Sequence, residues 1–249
     1  MFADVEGFTA WSSVREPSQV FTLLETIFAA FDSVALKRRV FKVETVGDCY
    51  VAVSGLPEPR QDHAITMARV ARDCIAKHMA AVKKLESTLG PETGDLRLRV
   101  GLHSGPITAG VLRGERSRFQ LFGDTVNTAA RLESAGEGNR VHLTATTAHL
   151  IEEGGYKQWI ERREGTVTLK GMGSMQTYWL VPRKNDHSGS TSDGLLGELM
   201  IPIETNSSCD DTKKQRLISF NADALLRVIK QIVARREPTA VASPKEVPV

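Results

Sequence analysis

Two long stretches of helical periodicity, residues 17–37 and 62–89, are each flanked by short apolar runs of strand length. In the first, Val20, Leu23, Leu24, Ile27, Phe28 and Phe31 recur at the spacing that lines one helix face. The second is amphipathic and is closed by Gly90-Pro91. Between and around them, 40–46 and 49–53 read as a hairpin turned at Gly47-Asp48, and 96–102 and 107–112 as a second strand pair. A short strand at 119–122 feeds a helix at 124–135 that stops at Gly136 and Gly138, and 165–169 and 175–181 supply the last strands. This alternation predicts an α/β (α+β) sandwich, a mainly antiparallel sheet covered by helices. Phe2–Val5 reads as the closing part of a strand whose opening residues lie outside the sequence.

The pattern changes after Pro182. Residues 183–218 are polar and read as a linker. Residues 219–236 carry Leu225, Leu226, Ile229, Ile232 and Val233 with basic residues between, an amphipathic helix expected to begin a further domain. Residues 237–249 are expected to be a disordered tail. A chain of 249 residues buries most of its apolar surface without staples. Its net charge of +2 comes from interleaved acids and bases, without the basic stripe of a nucleic-acid binder. The three cysteines, Cys49, Cys74 and Cys209, are scattered and read as free thiols. No run approaches the roughly 20 apolar residues that span a bilayer, and no secretory signal precedes the first strand.

Several polar residues sit where a purely structural role is costly. Asp4 ends an apolar strand, where a carboxylate needs a cation or hydrogen bonds. Asp48 stands at a hairpin tip on what reads as an adjacent strand. Two such carboxylates can bridge a pair of Mg²⁺ ions held roughly 3.5–4 Å apart. A turn-capping aspartate is the other reading of Asp48. Gly7, in Glu6-Gly7-Phe8-Thr9, lets successive backbone N–H groups approach a phosphate, although any tight strand-to-helix turn has the same composition. Asn127 and Arg131 lie four apart and share a helix face, suiting a sugar oxygen and a phosphate, or else simply facing water. Lys170, before Gly171-Met172-Gly173, offers a mobile point charge or another solvated hairpin lysine. His63 and His103 have no partners at metal-ligand spacing and read as structural.

Together these segments resemble the class III nucleotidyl cyclase catalytic domain, in its receptor-type guanylyl cyclase form. The matching blocks are Phe-Ala-Asp-Val-Glu-Gly-Phe-Thr at 2–9, Lys-Val-Glu-Thr-Val-Gly-Asp-Cys-Tyr at 42–50 and Leu-His-Ser-Gly-Pro at 102–106. Leu-Phe-Gly-Asp-Thr-Val-Asn-Thr-Ala-Ala-Arg at 121–131 and Leu-Lys-Gly at 169–171 follow in the same order. The resemblance implies a cyclase catalytic domain over 1–182 with a ferredoxin-like palm, working as a head-to-tail homodimer with composite sites. It implies two Mg²⁺ (or Mn²⁺) per site, held by Asp4, Asp48 and the Val5 carbonyl. It gives the Phe8 and Thr9 amides, beside Gly7, to the phosphates, Asn127 to the ribose, Arg131 to the transition state and Lys170 to the terminal phosphates. Glu44 stands at the base-selecting position, where a carboxylate accepts from N1–H and the 2-amino group of guanine. Gln120 stands at the second selector, where guanylyl cyclases carry cysteine and adenylyl cyclases aspartate; its amide suits guanine O6 or the adenine amino group. The expected substrate is GTP, with ATP and a catalytically silent sensor module as the alternatives. The domain is expected to be cytoplasmic, any membrane contact arising only through further parts of a membrane-anchored parent.

Overall fold

The computed structural model describes residues 1–113, 117–169 and 171–182, with Gln215, residues 218–220, Ala222 and Leu226. The main body, within the unit Met1–Asp193, begins with β1 (Phe2–Glu6), α1 (Phe8–Ser12) and α2 (Pro17–Lys37). The hairpin β2 (Phe41–Val46) and β3 (Cys49–Val53), α3 (His63–Leu89) and β4 (Arg97–Leu102) complete a βαββαβ half. There follow β5 (Thr108–Leu112), β6 (Arg118–Phe122), α4 (Asp124–Ser134), β7 (Arg140–Thr144) and α5 (Ala145–Glu153). The last strands are β8 (Ile160–Arg162), β9 (Val167–Leu169), β10 (Gly173–Met175) and β11 (Thr177–Leu180). The described residues of the second unit, Gly194–Val249, are helical, and Ile218 and Leu226 are exposed. The remainder of the expected linker, helix and tail lies outside the described residues.

Seven strands form one sheet in the order β2-β3-β1-β4-β7-β11-β8, antiparallel throughout except for the parallel pair β4–β7. The expected pairing of 96–102 with 107–112 is corrected here. β4 lies between β1 and β7, while β5 pairs with β6 in a separate two-stranded ribbon. β9 and β10 make a second ribbon. β7, α5 and β8 are elements that periodicity alone did not reveal.

The two faces of the sheet have different coverings because side chains alternate along a strand. Ala3, Val5, Leu98 and Val100 are almost fully buried. On the same face Tyr50 meets Phe31 of α2 edge-on, with ring centroids 5.4 Å apart. α2 and α3 cover this side. The entry to α2 is fixed locally by Pro17 in its first turn and by the Glu16 amide, which donates to Gln19 Oε1 at 3.2 Å.

The opposite face presents Asp4, Arg99 and Gly101, with Asp4 directly across from Arg99. α4 lies on this side at backbone contact distance. A Cβ on Gly101 would stand 2.3 Å from both Ala129 O and Glu133 N, so only glycine admits the helix here.

Two fully buried histidines make the fold acid-sensitive. Burial lowers His78 and His142 from the ordinary value of 6.5 to about 4. Both are therefore neutral in the fold, and between those limits the unfolded chain binds more protons. Their stabilisation is complete above about pH 6.5 and is lost as pH falls towards 4, roughly 3 kcal/mol for each histidine. Urea unfolding at a series of pH values is expected to show this loss. His78→Leu is expected to flatten the acid limb, and an unchanged slope in that variant would contradict the assignment.

Candidate active site

Asp4 and Asp48 converge at the end of β1. Ala3 pairs with Tyr50, and continuing that register brings Asp4 beside the Gly47-Asp48 turn of the β2–β3 hairpin. Carried one residue further, the same register sets the Val5 main chain opposite Asp48. Burial, and next the charge of Asp4, raise the Asp48 carboxyl above its ordinary value. Burial and then the charge of Asp4 push the neighbouring Cys49 thiol up to about 12.

Arg99 Nη2 lies 2.8 Å from Asp4 Oδ2 and 3.0 Å from Glu133 Oε1 on α4. Burial and the neighbouring Asp4 raise Glu133 in turn. Asp4 and Glu133 thus share one guanidinium with Asp48 nearby, an excess of negative charge at this end of the sheet. Among the described residues no group of three or more His, Cys, Asp and Glu is arranged to hold a metal ion. The donor set still suits Mg²⁺, which commonly takes one or two carboxylates and completes its shell with water and substrate phosphates. Arg99 and Glu133 were not singled out in the sequence; a strand arginine gives no local signal when its partner is 95 residues away.

Gly7 adopts φ 86°, the left-handed conformation, and turns β1 directly into α1. The Phe8 and Thr9 amides stand in the first turn of α1, where N–H groups have no intrahelical acceptor. Phe8 and Thr9 follow Asp4 by four and five residues, so their amides and the acid pair lie at the same end of β1.

Asn127 and Arg131 lie on α4 as expected, Asn127 exposed and Arg131 half-buried. They do not face the acids of their own chain. Ala129 and Glu133 pack towards β4, and positions two residues removed point about 200° round the helix. Asn127 and Arg131 therefore project from the opposite side. The β9–β10 turn folds against α4: Thr128 Oγ1 donates to Met172 Sδ at 3.4 Å, and a side chain added at Gly171 would lie 3.7 Å from Arg131 Nη2. Lys170, immediately before Gly171, lies outside the described residues.

Glu44 is on the edge strand β2, and its presentation depends on an irregularity. The register shifts between Lys42 and Glu44, so that Lys42 pairs with Ala52 but Glu44 with Val51. Lys42 consequently reaches across the helix-covered face to Asp32 at 2.7 Å. Glu44 takes the other face, with Phe41, whereas a regular strand would put both on one side. Phe41 packs edge-on against Phe119 of β6, centroids 5.1 Å apart, which ties β2 to the strand carrying half-buried Gln120. A recess of about 480 Å³ opens beside α4, lined by His103, Pro106, Phe122, Asp124, Thr125 and Met172. His103 Nδ1 is hydrogen-bonded to Thr144 Oγ1 at 2.8 Å, in keeping with a structural role. All of β5 is exposed, and Val46, Val111, Leu112 and Phe122 add apolar surface around the site.

The fold thus sets two acids beside β1 and an amide and a guanidinium on the side of α4 that faces away from them. A family profile described as the adenylate and guanylate cyclase catalytic domain matches residues 1–182. The guanylate cyclase soluble subunit beta-2 of Rattus norvegicus is 35% identical over 250 residues, covering 98% of this chain and 35% of the subunit. The receptor-type guanylate cyclase gcy-28 of Caenorhabditis elegans is 44% identical over 180 residues, 72% of this chain and 14% of the receptor. Among solved structures, the guanylate cyclase domain of RhGC from Catenaria anguillulae in complex with GTP aligns with a TM-score of 0.64 at 34% identity. That alignment covers 74% of this chain and 94% of the fungal domain. The chain belongs to the family of adenylate and guanylate cyclase catalytic domains. It spans about a third or less of the length of these two curated relatives.

Proposed function

We propose that the protein converts a nucleoside triphosphate, GTP in preference to ATP, into its 3′,5′-cyclic monophosphate and pyrophosphate. The reaction takes place at composite sites between two copies in a head-to-tail homodimer on the cytoplasmic side. The observation that carries this reading is the placement of the two residue sets on opposite sides of α4. Asp4 and Asp48 lie on the sheet side, Asn127 and Arg131 on the other, so one chain cannot bring both to a single triphosphate. A second copy can. The exposed apolar residues of β5 and β6 offer the surface for it.

In this site Asp4, Asp48 and the Val5 carbonyl would hold two Mg²⁺ (or Mn²⁺). When bound, these ions supply the positive charge that acidifies the ribose 3′-hydroxyl and neutralises the departing pyrophosphate. Arg99 Nη2 holds Asp4 Oδ2 at 2.8 Å and so fixes the orientation of its carboxylate. The Gly7 turn offers the Phe8 and Thr9 amides to the phosphates. Asn127 orients the ribose so that its 3′-oxygen attacks the α-phosphorus in line as the bond to pyrophosphate breaks. Arg131 offsets charge as it grows on the α-phosphoryl oxygens, and Lys170 steadies the terminal phosphates. Glu44 accepts from guanine N1–H and the 2-amino group, and Gln120 donates to O6. The bare N1 lone pair of adenine repels the Glu44 carboxylate.

Assays of each triphosphate with Mn²⁺ and with Mg²⁺ test this directly. We expect kcat/KM for GTP to exceed that for ATP by about tenfold or more, and Glu44→Lys to lower GTP turnover by about a hundredfold, since buried hydrogen-bond mismatches discriminate strongly. Faster cyclic AMP formation by the unaltered protein would overturn the assignment of GTP.

A further inference from the structure

The position of α4 is set at its C-terminal end by a buried group remote from the acids. His142 on β7 is fully buried, and its Nδ1 lies 2.8 Å from Leu132 O. A carbonyl can only accept, so Nδ1 carries the proton and Nε2 presents a lone pair. Arg163 Nη1 approaches that nitrogen at 3.3 Å and also donates to Ala135 O at 3.0 Å. Leu132 O and Ala135 O are among the terminal carbonyls that a helix cannot satisfy internally. The Ala135 amide is itself bonded to Arg131 O at 3.0 Å.

Arg163 is also the foot of the β9–β10 ribbon. Its carbonyl accepts from Gln176 Nε2 at 2.8 Å and its amide donates to Thr177 O at 3.1 Å. The indole of Trp179 backs the group, 4.7 Å from the His142 ring centroid and 4.7 Å from the Arg163 guanidinium carbon. One arginine therefore joins the helix that carries Arg131 to the ribbon whose turn, at Gly171, lies against the Arg131 guanidinium.

We infer that His142 and Arg163 are positioning residues for catalysis, a latch that clamps the end of α4 to the foot of the β9–β10 ribbon and so sets where Arg131 meets the substrate. The inference rests on the proposed role of Arg131. Neither residue touches the triphosphate. A displacement of about 1 Å at a reacting group costs on the order of a hundredfold, so the latch matters for turnover more than for nucleotide binding.

The test is a double-mutant cycle on the dimeric protein, measuring kcat and KM with GTP and Mn²⁺ for wild type, Arg163→Met, Arg131→Ala and the double variant. Arg163→Met is expected to lower kcat by about ten- to a hundredfold, with KM changed less than about threefold. In the Arg131→Ala background the same change is expected to cost less than about threefold, because nothing remains to be positioned. Equal losses in both backgrounds, or an unchanged kcat in Arg163→Met, overturn the latch alone. A wild-type kcat in Arg131→Ala overturns the proposed role of Arg131 and the latch with it. Thermal melting identifies a variant that does not fold. In that event His142→Asn takes the place of Arg163→Met in the cycle; it retains a donor near Leu132 O and removes the acceptor for Arg163, and the same non-additivity is expected.

Discussion

Gly101→Ala is expected to destabilise the domain by about 2–3 kcal/mol and to reduce turnover by about a hundredfold. The new methyl would fall 2.3 Å from Ala129 O and from Glu133 N, both main-chain atoms of α4. Ordinary contact needs at least about 3.4 Å, so helix and strand must part by roughly 1 Å. No side chain can rotate away to absorb this. The displaced helix would carry Asn127 and Arg131 out of place on one side, and on the other pull Glu133 from Arg99, loosening Asp4. Urea unfolding and kcat measured on the same preparation check both effects. An alanine variant with normal stability and activity would show that α4 is not seated on β4 as described.

Asp48→Asn is expected to remove nearly all turnover while leaving the fold intact or slightly more stable. The carboxyl is half-buried beside Asp4, and burial together with that like charge already disfavours its ionised form. An uncharged amide of the same shape relieves the repulsion, so stability does not suffer. Catalysis does, because an amide neutralises no cation. Loss of several kcal/mol of transition-state charge stabilisation corresponds to about a thousandfold or more in rate. A melting curve beside the rate measurement separates the two consequences. Substantial activity in a folded Asp48→Asn protein would remove this residue from the metal site.

What could be read in the sequence divides along physical lines. α2 and α3 were legible because their apolar residues repeat over 21 and 27 positions, with Pro17 and Gly90 marking opposite ends. The β2–β3 hairpin was legible from Gly47-Asp48. The partner of β4 was not, because strand pairing is decided by what lies beside the strand in space. β4 takes β1 and β7, neither its immediate neighbour in the chain. β8 has three residues, too few for alternation to register. The N-cap of α5 was there to be found: Thr144 accepts from the Thr147 amide at 3.4 Å, a common helix-start signal.

The site followed the same rule. Asp4 was conspicuous as a charge closing an apolar strand, and the fold brings Asp48 to it. Arg99, which holds Asp4, and Glu133, which pairs with Arg99, carry no local mark, since their meaning arises only when β1, β4 and α4 come together. The bulge that turns Glu44 away from Lys42 is equally invisible in the sequence, where the two read as neighbours on one face. Lys170 lies outside the described residues, and the role proposed for it rests on the resemblance alone.

Mixing two inactive variants tests the composite site most directly. Asp48→Asn protein lacks an acid from one half-site, and Arg131→Ala lacks the guanidinium of the other. After equal amounts are mixed and allowed to exchange subunits, half the dimers are mixed, each holding one complete site. Formation of 3′,5′-cyclic GMP and pyrophosphate from GTP and Mn²⁺ is then predicted to recover to about a quarter of the wild-type rate. A mixture that exchanges subunits yet stays as inactive as its components would contradict a site built from the acids of one chain and the arginine of another.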